Sequence, residues 1–419
     1  MNYHFRKIRQ NEVIEYIKLK GRVYPRFATP QKDMEKTVRM YMRMLDDDKV
    51  FPIGVFDENE TLVGRILIFD YLMNFRGREM RMGGIGGVGI DLPNKKQHIC
   101  RDMMKFSLNF LQDTGITCSG LHPFRPDFYK NMGYGILTPF YRYHINTARI
   151  KNYAESLDVT WLKDDEKDIR DMAMCFNEFY KKTNGEIKRR PTWPMNQMQN
   201  EKNFIIGYRK DDTLAAYAIC NPIETGKDNF MQYDLNVDEF ISLSLEGTKA
   251  ILGFLRNQAD QFDNIVMYTQ DETFYHLFDD PSDIRRCILP HANHSFATAS
   301  TGLMFRVLNP KEFVKTYSQM REIKGEGITC TFEIDEPFLD HEDTTITLKI
   351  TEDDFCLSED ESADIIKISM ADFSSMLFGS VSLEHLARYG LIEYDNAEQM
   401  KKCSRYLMNC EKPKYHAKF

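Results

Sequence analysis

Apolar positions in the first third of the chain fall alternately into short β-type runs and runs of helical period. A strand is predicted at 3–8, helices at 12–20 and 32–45, and strands at 50–57, 62–69 and 78–90. Ile99, Met103, Phe106 and Phe110 then share one helical face, which predicts an amphipathic helix from about residue 95 to 113. A strand at 117–121, a short helix at 127–132 ended by Gly133 as its C-cap, and a closing strand at 136–145 complete this unit.

The same order of elements returns more loosely between 151 and 300. It reads as a strand at 159–162, a helix at 169–182, strands at 203–209, 213–221 and 229–237, a helix at 243–257 and a strand at 265–269. Recurrence of a whole αβ order points to duplicated architecture. The remaining residues begin with a strand at 303–308 and a helix started by Asn309-Pro310, where proline suits the first helical turn. Strands at 328–334 and 344–350 and helices at 371–378, 383–389 and 396–408 follow. The fold class is therefore α/β for the first two units and α+β for the third, with domains expected at 1–150, 151–300 and 301–419.

Composition narrows the classes. The 419 residues suffice for roughly three domains of ordinary size. No run approaches the ~18 apolar residues that span a bilayer, and the first residues lack a signal-peptide core, so a cytoplasmic chain without a membrane partner is expected. Nine scattered cysteines form no C-x-x-C pair and no zinc spacing, which suits inert thiols in a reducing compartment. His291 and His294 are close in sequence but have no third ligand nearby, so no metal is expected. The net charge of −8 is uneven: residues 1–150 sum to +8, and 151–300 and 301–419 to −8 each. A positive first unit suits a polyanionic cofactor, whereas no basic and aromatic interleaving of the nucleic-acid type occurs. The acidic stretch 333–364 reads as a solvated rim.

The chemistry concentrates in two segments. Gly83-Gly84-Ile85-Gly86-Gly87-Val88-Gly89-Ile90 is a glycine-dense strand, followed by the polar turn Asp91-Leu92-Pro93-Asn94-Lys95-Lys96-Gln97-His98 and then a helix. Unpaired N–H groups and the helix dipole favour an anion at such a helix start. The same glycines would also suit a bulged or tightly packed strand. Farther on stands Phe128-Tyr129-Lys130-Asn131-Met132-Gly133-Tyr134-Gly135. Tyr129 reads either as a packed core tyrosine or as an acid, since a phenol can hydrogen-bond a leaving thiolate and donate to it. The second repeat carries Asp238-Glu239-Phe240 where the first carries Asn94-Lys95-Lys96, so it is expected to repel a pyrophosphate and bind no coenzyme.

On these segments the chain resembles the GCN5-related N-acetyltransferases (GNAT), and more narrowly the enhanced-intracellular-survival (Eis) proteins. The resemblance spans Val88-Gly89-Ile90, Lys95 to Arg101, Phe124-Arg125-Pro126-Asp127-Phe128-Tyr129 and the terminal Phe419. It implies tandem GNAT domains followed by a sterol-carrier-like domain, acetyl-CoA as co-substrate and a hexamer. It further implies that Val88, Gly89 and Ile90 hold the pantetheine arm. Lys96, Gln97, His98, Ile99, Cys100 and Arg101 would wrap the pyrophosphate, and Phe124 and Arg125 line the coenzyme. Tyr129 would be the general acid and the Phe419 terminal carboxylate the general base. The chain departs from the family in bearing His98 where a glycine is usual, and Lys95 and Lys96 where arginines are usual. The activity so implied is N-acetylation of a primary amine, of aminoglycoside or lysine type. A lipid or acyl-CoA carrier, or a transferase for longer acyl chains, are the rival readings.

Overall fold

A computed structural model describes residues 3–226, 229, 231–283, 288–289, 291–320, 326–340, 344–352, 354–360 and 364–417. The chain divides into two compact units. The first combines the chain up to Leu137 with Gly302–Pro413; the second is Thr138–Thr301 with Lys414–Ala417.

The first unit opens with β1 (His4–Lys7), α1 (Val13–Val23), α2 (Met34–Asp46), β2 (Val50–Phe56), β3 (Leu62–Phe75) and β4 (Arg78–Ile90). Then come α3 (Ile99–Asp113), β5 (Cys118–Leu121), α4 (Pro126–Lys130) and β6 (Gly135–Ile136). The second unit holds β7 (Phe140–Asn146), β8 (Val159–Trp161), α5 (Glu166–Lys182), α6 (Trp193–Met198), β9 (Phe204–Lys210), β10 (Thr213–Glu224), β11 (Tyr233–Ser242), α7 (Leu245–Arg256) and β12 (Asn264–Thr269). It ends with the short ribbon β13 (Ile288–Leu289) and β14 (Asn293–His294) and the strand β15 (Ala297–Ser300). The chain then returns to the first unit with β16 (Met304–Val307) and α8 (Pro310–Ser318). The five-stranded element follows: β17 (Ile328–Asp335), β18 (Thr345–Ile350), β19 (Phe355–Leu357), β20 (Ile365–Ser369) and β21 (Ile392–Tyr394), with α9 (Met370–Leu377), α10 (Leu383–Arg388) and α11 (Ala397–Leu407).

Among the described residues the first sheet runs β1-β2-β3-β4-β5-β16-β6 and the second β15-β7-β12-β11-β10-β9-β8. Two expectations change here. The closing strand of the first unit, expected at 136–145, is split: β6 stays in the first sheet, while β7 pairs with β12 and β15 in the second. Its inward side chains explain this, since Tyr143 and Ile145 are fully buried in the second core. Conversely, the strand expected to open the third domain is β16, which fills the gap between β5 and β6 with all four residues buried. Alternation shows that a strand has a buried face but not which sheet receives it.

One joint matters for the site. β4 and β5 pair in parallel only over Gly83–Ile85 and Ser119–Leu121, after which β4 continues to Ile90 without that neighbour. The strands part there and open a cleft at the C-terminal edge of the sheet. On its other side β4 breaks register with β3 between Arg65 and Leu67, and Gly87 opposite takes φ +58°. This is a bulge that needs a residue free to adopt a left-handed backbone.

Candidate active site

A cavity of about 770 Å³ occupies the cleft, within the usual size range of a small-molecule site. Of the residues expected at a coenzyme, Val88, Gly89, Ile90, Lys96, His98, Ile99, Cys100, Arg101 and Phe124 line it. Two others do not. Gln97 turns away and accepts a hydrogen bond from the Tyr3 hydroxyl at 2.6 Å. Arg125 is exposed and paired with Asp127.

The turn before α3 differs from the expected helix start near 95. Lys96 and His98 both adopt positive φ, +64° and +59°, so the helix begins only at Ile99. His98 occupies the N-cap in a left-handed conformation and offers no side-chain cap. A residue with a Cβ is strained there by ~1 kcal/mol, which accounts for the glycine usual at this position. No side chain caps α3, although the Arg101 amide donates to the His98 carbonyl at 2.8 Å, and Ile99, Cys100 and Arg101 of its first turn line the cavity. Lys95, Lys96 and Arg101 stand around that helix end, exposed and without an ion-pair partner among the described residues. An uncapped helix start beside three cations without an ion-pair partner is the kind of surface that suits a polyanion such as a pyrophosphate. The fit to coenzyme A is good.

Tyr129 lies on α4 at 5% exposure and does not itself line the cavity, although Phe128 and Met132 on either side of it in sequence do. Its ring packs edge-on to Phe128 at 5.2 Å and to Tyr134 at 6.0 Å, and its hydroxyl makes no hydrogen bond to a described residue. Burial pushes its phenol well above the ordinary tyrosine range, and the nearby Cys100 and Tyr24 push it further. Burial likewise raises the Cys100 thiol to about 11, so the thiol stays neutral near pH 7. Phe419 lies outside the described residues.

The sequence reading missed two contributors. Tyr24, just past the end of α1, lines the cavity and donates its hydroxyl to the Val88 carbonyl. Pro337 and Phe338 also line it, from the loop after β17. Phe338 is buried in the same core as Met103 and Tyr134, and its ring lies 5.9 Å from the Arg101 guanidinium. That loop is fixed by a buried ion pair between Arg306 of β16 and Glu336, and Arg306 also donates to the Met132 carbonyl. The signal was the apolar triplet Pro337-Phe338-Leu339 inside an acidic stretch. The expectation of a wholly solvated rim is corrected at Glu336, and also at Asp354, which is buried and accepts from the Tyr317 hydroxyl. Residues 341–343, 353 and 361–363 of that stretch lie outside the described residues.

In the second unit the argument from Asp238 and Glu239 fails. Both lie inside β11 rather than at a turn. Glu239 is buried and forked by Arg189, with the Tyr217 hydroxyl on the same carboxylate at 2.7 Å. What sets this copy apart is length: only Leu243 and Ser244 separate β11 from α7, where Asp91–His98 separates β4 from α3. Ser244 also caps α7, accepting from the Gly247 amide at 3.1 Å. The described connection between β11 and α7 has no counterpart of the Asp91–His98 turn. Among the described residues no cluster of His, Cys, Asp or Glu is arranged to hold a metal, and no helix is long and apolar enough to cross a membrane.

Comparison with known proteins agrees with this geometry. Residues 4–137 and 185–307 each match an acetyltransferase (GNAT) domain family, and 311–414 match a sterol carrier protein domain. No curated protein matches the chain. Among solved structures, a GCN5-related N-acetyltransferase from Kribbella flavida superposes with a TM-score of 0.78 at 18% identity, covering 100% of this chain and 98% of that one. A probable N-acyltransferase of unknown function from Enterococcus faecalis V583 gives 0.77 at 17% identity, with 100% of both chains covered. Eis1 from Mycobacterium abscessus gives 0.75 at 16%, again over 100% of both. With two GNAT domains ahead of a sterol carrier domain, in an Eis-like fold, the chain belongs to the GNAT N-acetyltransferases, which use acetyl-CoA as co-substrate.

Proposed function

We propose that this enzyme transfers acetyl to a primary amine by direct attack on the thioester, with Tyr129 as general acid and the Phe419 carboxylate as general base. The observation that carries the proposal is the cleft where β4 leaves β5. It is lined by cations without an ion-pair partner and by an uncapped helix start, and Tyr129 lies close to two of its lining residues, Cys100 and Tyr24. The thioester supplies an electrophilic carbonyl and a thiolate leaving group. Val88, Gly89 and Ile90 would orient the pantetheine arm along β4, and Lys96 and Arg101 would hold phosphate, with the backbone of His98 shaping the turn between them. As the amine nitrogen bonds the carbonyl carbon and the C–S bond breaks, Tyr129 gives its proton to the departing sulfur. The carboxylate of Phe419 takes the proton the amine loses. Both proton transfers close without a further reactant.

The acceptor is a small-molecule or lysine-type amine. Aminoglycosides fit as polycations if the acidic second and third domains contribute carboxylates near the amine. The test is thiol release from acetyl-CoA over a panel of amines. Tyr129→Phe should lower kcat by about 10²–10⁴-fold with the coenzyme Kd within about twofold. Retention of a tenth of turnover would remove Tyr129 from this role. Appending one residue after Phe419 should abolish turnover and leave coenzyme binding intact.

A further inference from the structure

The second domain contains a counterpart of the coenzyme cleft. β11 and β12 pair in parallel only over Asp234–Val237 and Asn264–Met267, and both strands continue beyond that pairing. This is the same strand–helix–strand joint that opens the cleft between β4 and β5. A cavity of about 450 Å³ lies here, lined among others by Phe240, Ser242, Gln270, Phe274 and Tyr415.

Tyr415 belongs to the carboxyl-terminal tail, and the tail is bound as a peptide ligand would be. Three successive amides each find an acceptor. Lys414 donates to the Asn184 carbonyl at 2.8 Å, Tyr415 to Gln270 Oε1 at 2.8 Å, and His416 to Glu186 Oε1 at 3.1 Å. The other Glu186 oxygen meets His416 Nδ1 at 2.7 Å, and the Glu186 side chain is completely buried. The Tyr415 ring is 3% exposed and lies 5.9 Å from Phe140, and the His416 ring packs edge-on to Phe179 at 5.3 Å. A buried carboxylate that bonds one tail residue through both oxygens, with Oε1 also accepting from the Ile187 amide at 3.0 Å, is a built recognition feature, because breaking a buried charged hydrogen bond costs more than making it gains.

We infer that the vestigial coenzyme cleft of the second domain is a socket for the chain's own tail, and that Glu186 and Gln270 are positioning residues for the terminal carboxylate. The inference deepens the proposed mechanism and rests on its assignment of Phe419 as base. The short loop before α7 fits this use, since a peptide held through its amides needs no phosphate site.

The test uses the full chain. Carboxypeptidase release of free phenylalanine is followed beside kcat and the coenzyme Kd for His416→Ala, Tyr415→Ala and Glu186→Gln. The tail variants remain informative if Glu186→Gln folds poorly. The expected result is at least tenfold faster release and at least tenfold lower kcat, with the coenzyme Kd within twofold. Faster release with unchanged kcat would leave the socket standing and remove Phe419 as base. Unchanged release in the two tail variants, whatever happens to kcat, would overturn the socket.

Discussion

Tyr24 donates its hydroxyl hydrogen to the carbonyl of Val88, so a main-chain group that faces the cleft is engaged before any coenzyme arrives. Tyr24 reaches it from the end of α1, where Pro25 begins a separate turn. If pantetheine uses the same carbonyl, the phenol is a competitor. Tyr24→Phe should then tighten coenzyme binding by about 2–10-fold, the worth of one ordinary hydrogen bond. Calorimetric titration with coenzyme A checks this, and weaker binding would make Tyr24 a partner of the coenzyme instead.

The pH dependence of turnover follows from Tyr129. Its phenol is raised, chiefly by burial, so the proton-bearing form persists to higher pH than in a free tyrosine. An acid must be protonated to act, so kcat should show no falling alkaline limb up to about pH 10. A limb that falls near pH 8–9 in the wild type and persists in Tyr129→Phe would belong to another group.

His98 holds φ +59° at the helix start. His98→Gly relieves about 1 kcal/mol of backbone strain but adds freedom to the unfolded chain. The net change in stability should lie between zero and about 1 kcal/mol in favour of the variant. Coenzyme binding should be unchanged or tighter, because the backbone geometry is kept. A tenfold loss of affinity would assign the imidazole a direct contact.

Glu239 offers a stability test in the second domain. Burial raises its carboxyl, but the Arg189 charge and forked hydrogen bonds outweigh burial and hold it below the ordinary 4.5. A carboxylate depressed in the folded state stabilises above its unfolded pKa, and that stability is lost as pH falls through the folded value. Arg189→Leu strands a buried charge and should cost roughly 3–5 kcal/mol at pH 7. The gap to wild type should narrow below pH 4.5, where Glu239 of the variant is neutral. Urea midpoints at pH 7 and pH 4 decide this, and a gap that widens on acidification would contradict it.

Much of the fold was legible because local pattern is local physics. The face formed by Ile99, Met103, Phe106 and Phe110 marked α3, Asn309-Pro310 marked the start of α8, and the glycine run marked β4. The strand-to-helix order around Lys95 and Lys96 likewise singled out residues that the structure places at the cavity. The rest of the site was hidden for one reason. Tyr24, Arg306 and Phe338 act through partners far away in sequence, and no periodicity encodes distance in space.

The amino-acid sequence by itself determined the elements, the duplicated αβ order and the chemistry of the glycine-rich strand, since these depend on neighbours within a few turns of chain. Only the tertiary structure decided which sheet takes β7 and which takes β16, because a strand's buried face is blind to the identity of its partner. It also decided that Lys95, Lys96 and Arg101 line the cavity of the first domain, and that Lys414, Tyr415 and His416 line that of the second. Two copies of one strand–helix–strand joint differ in loop length and in the side chains around them, and only packing shows which residues line each.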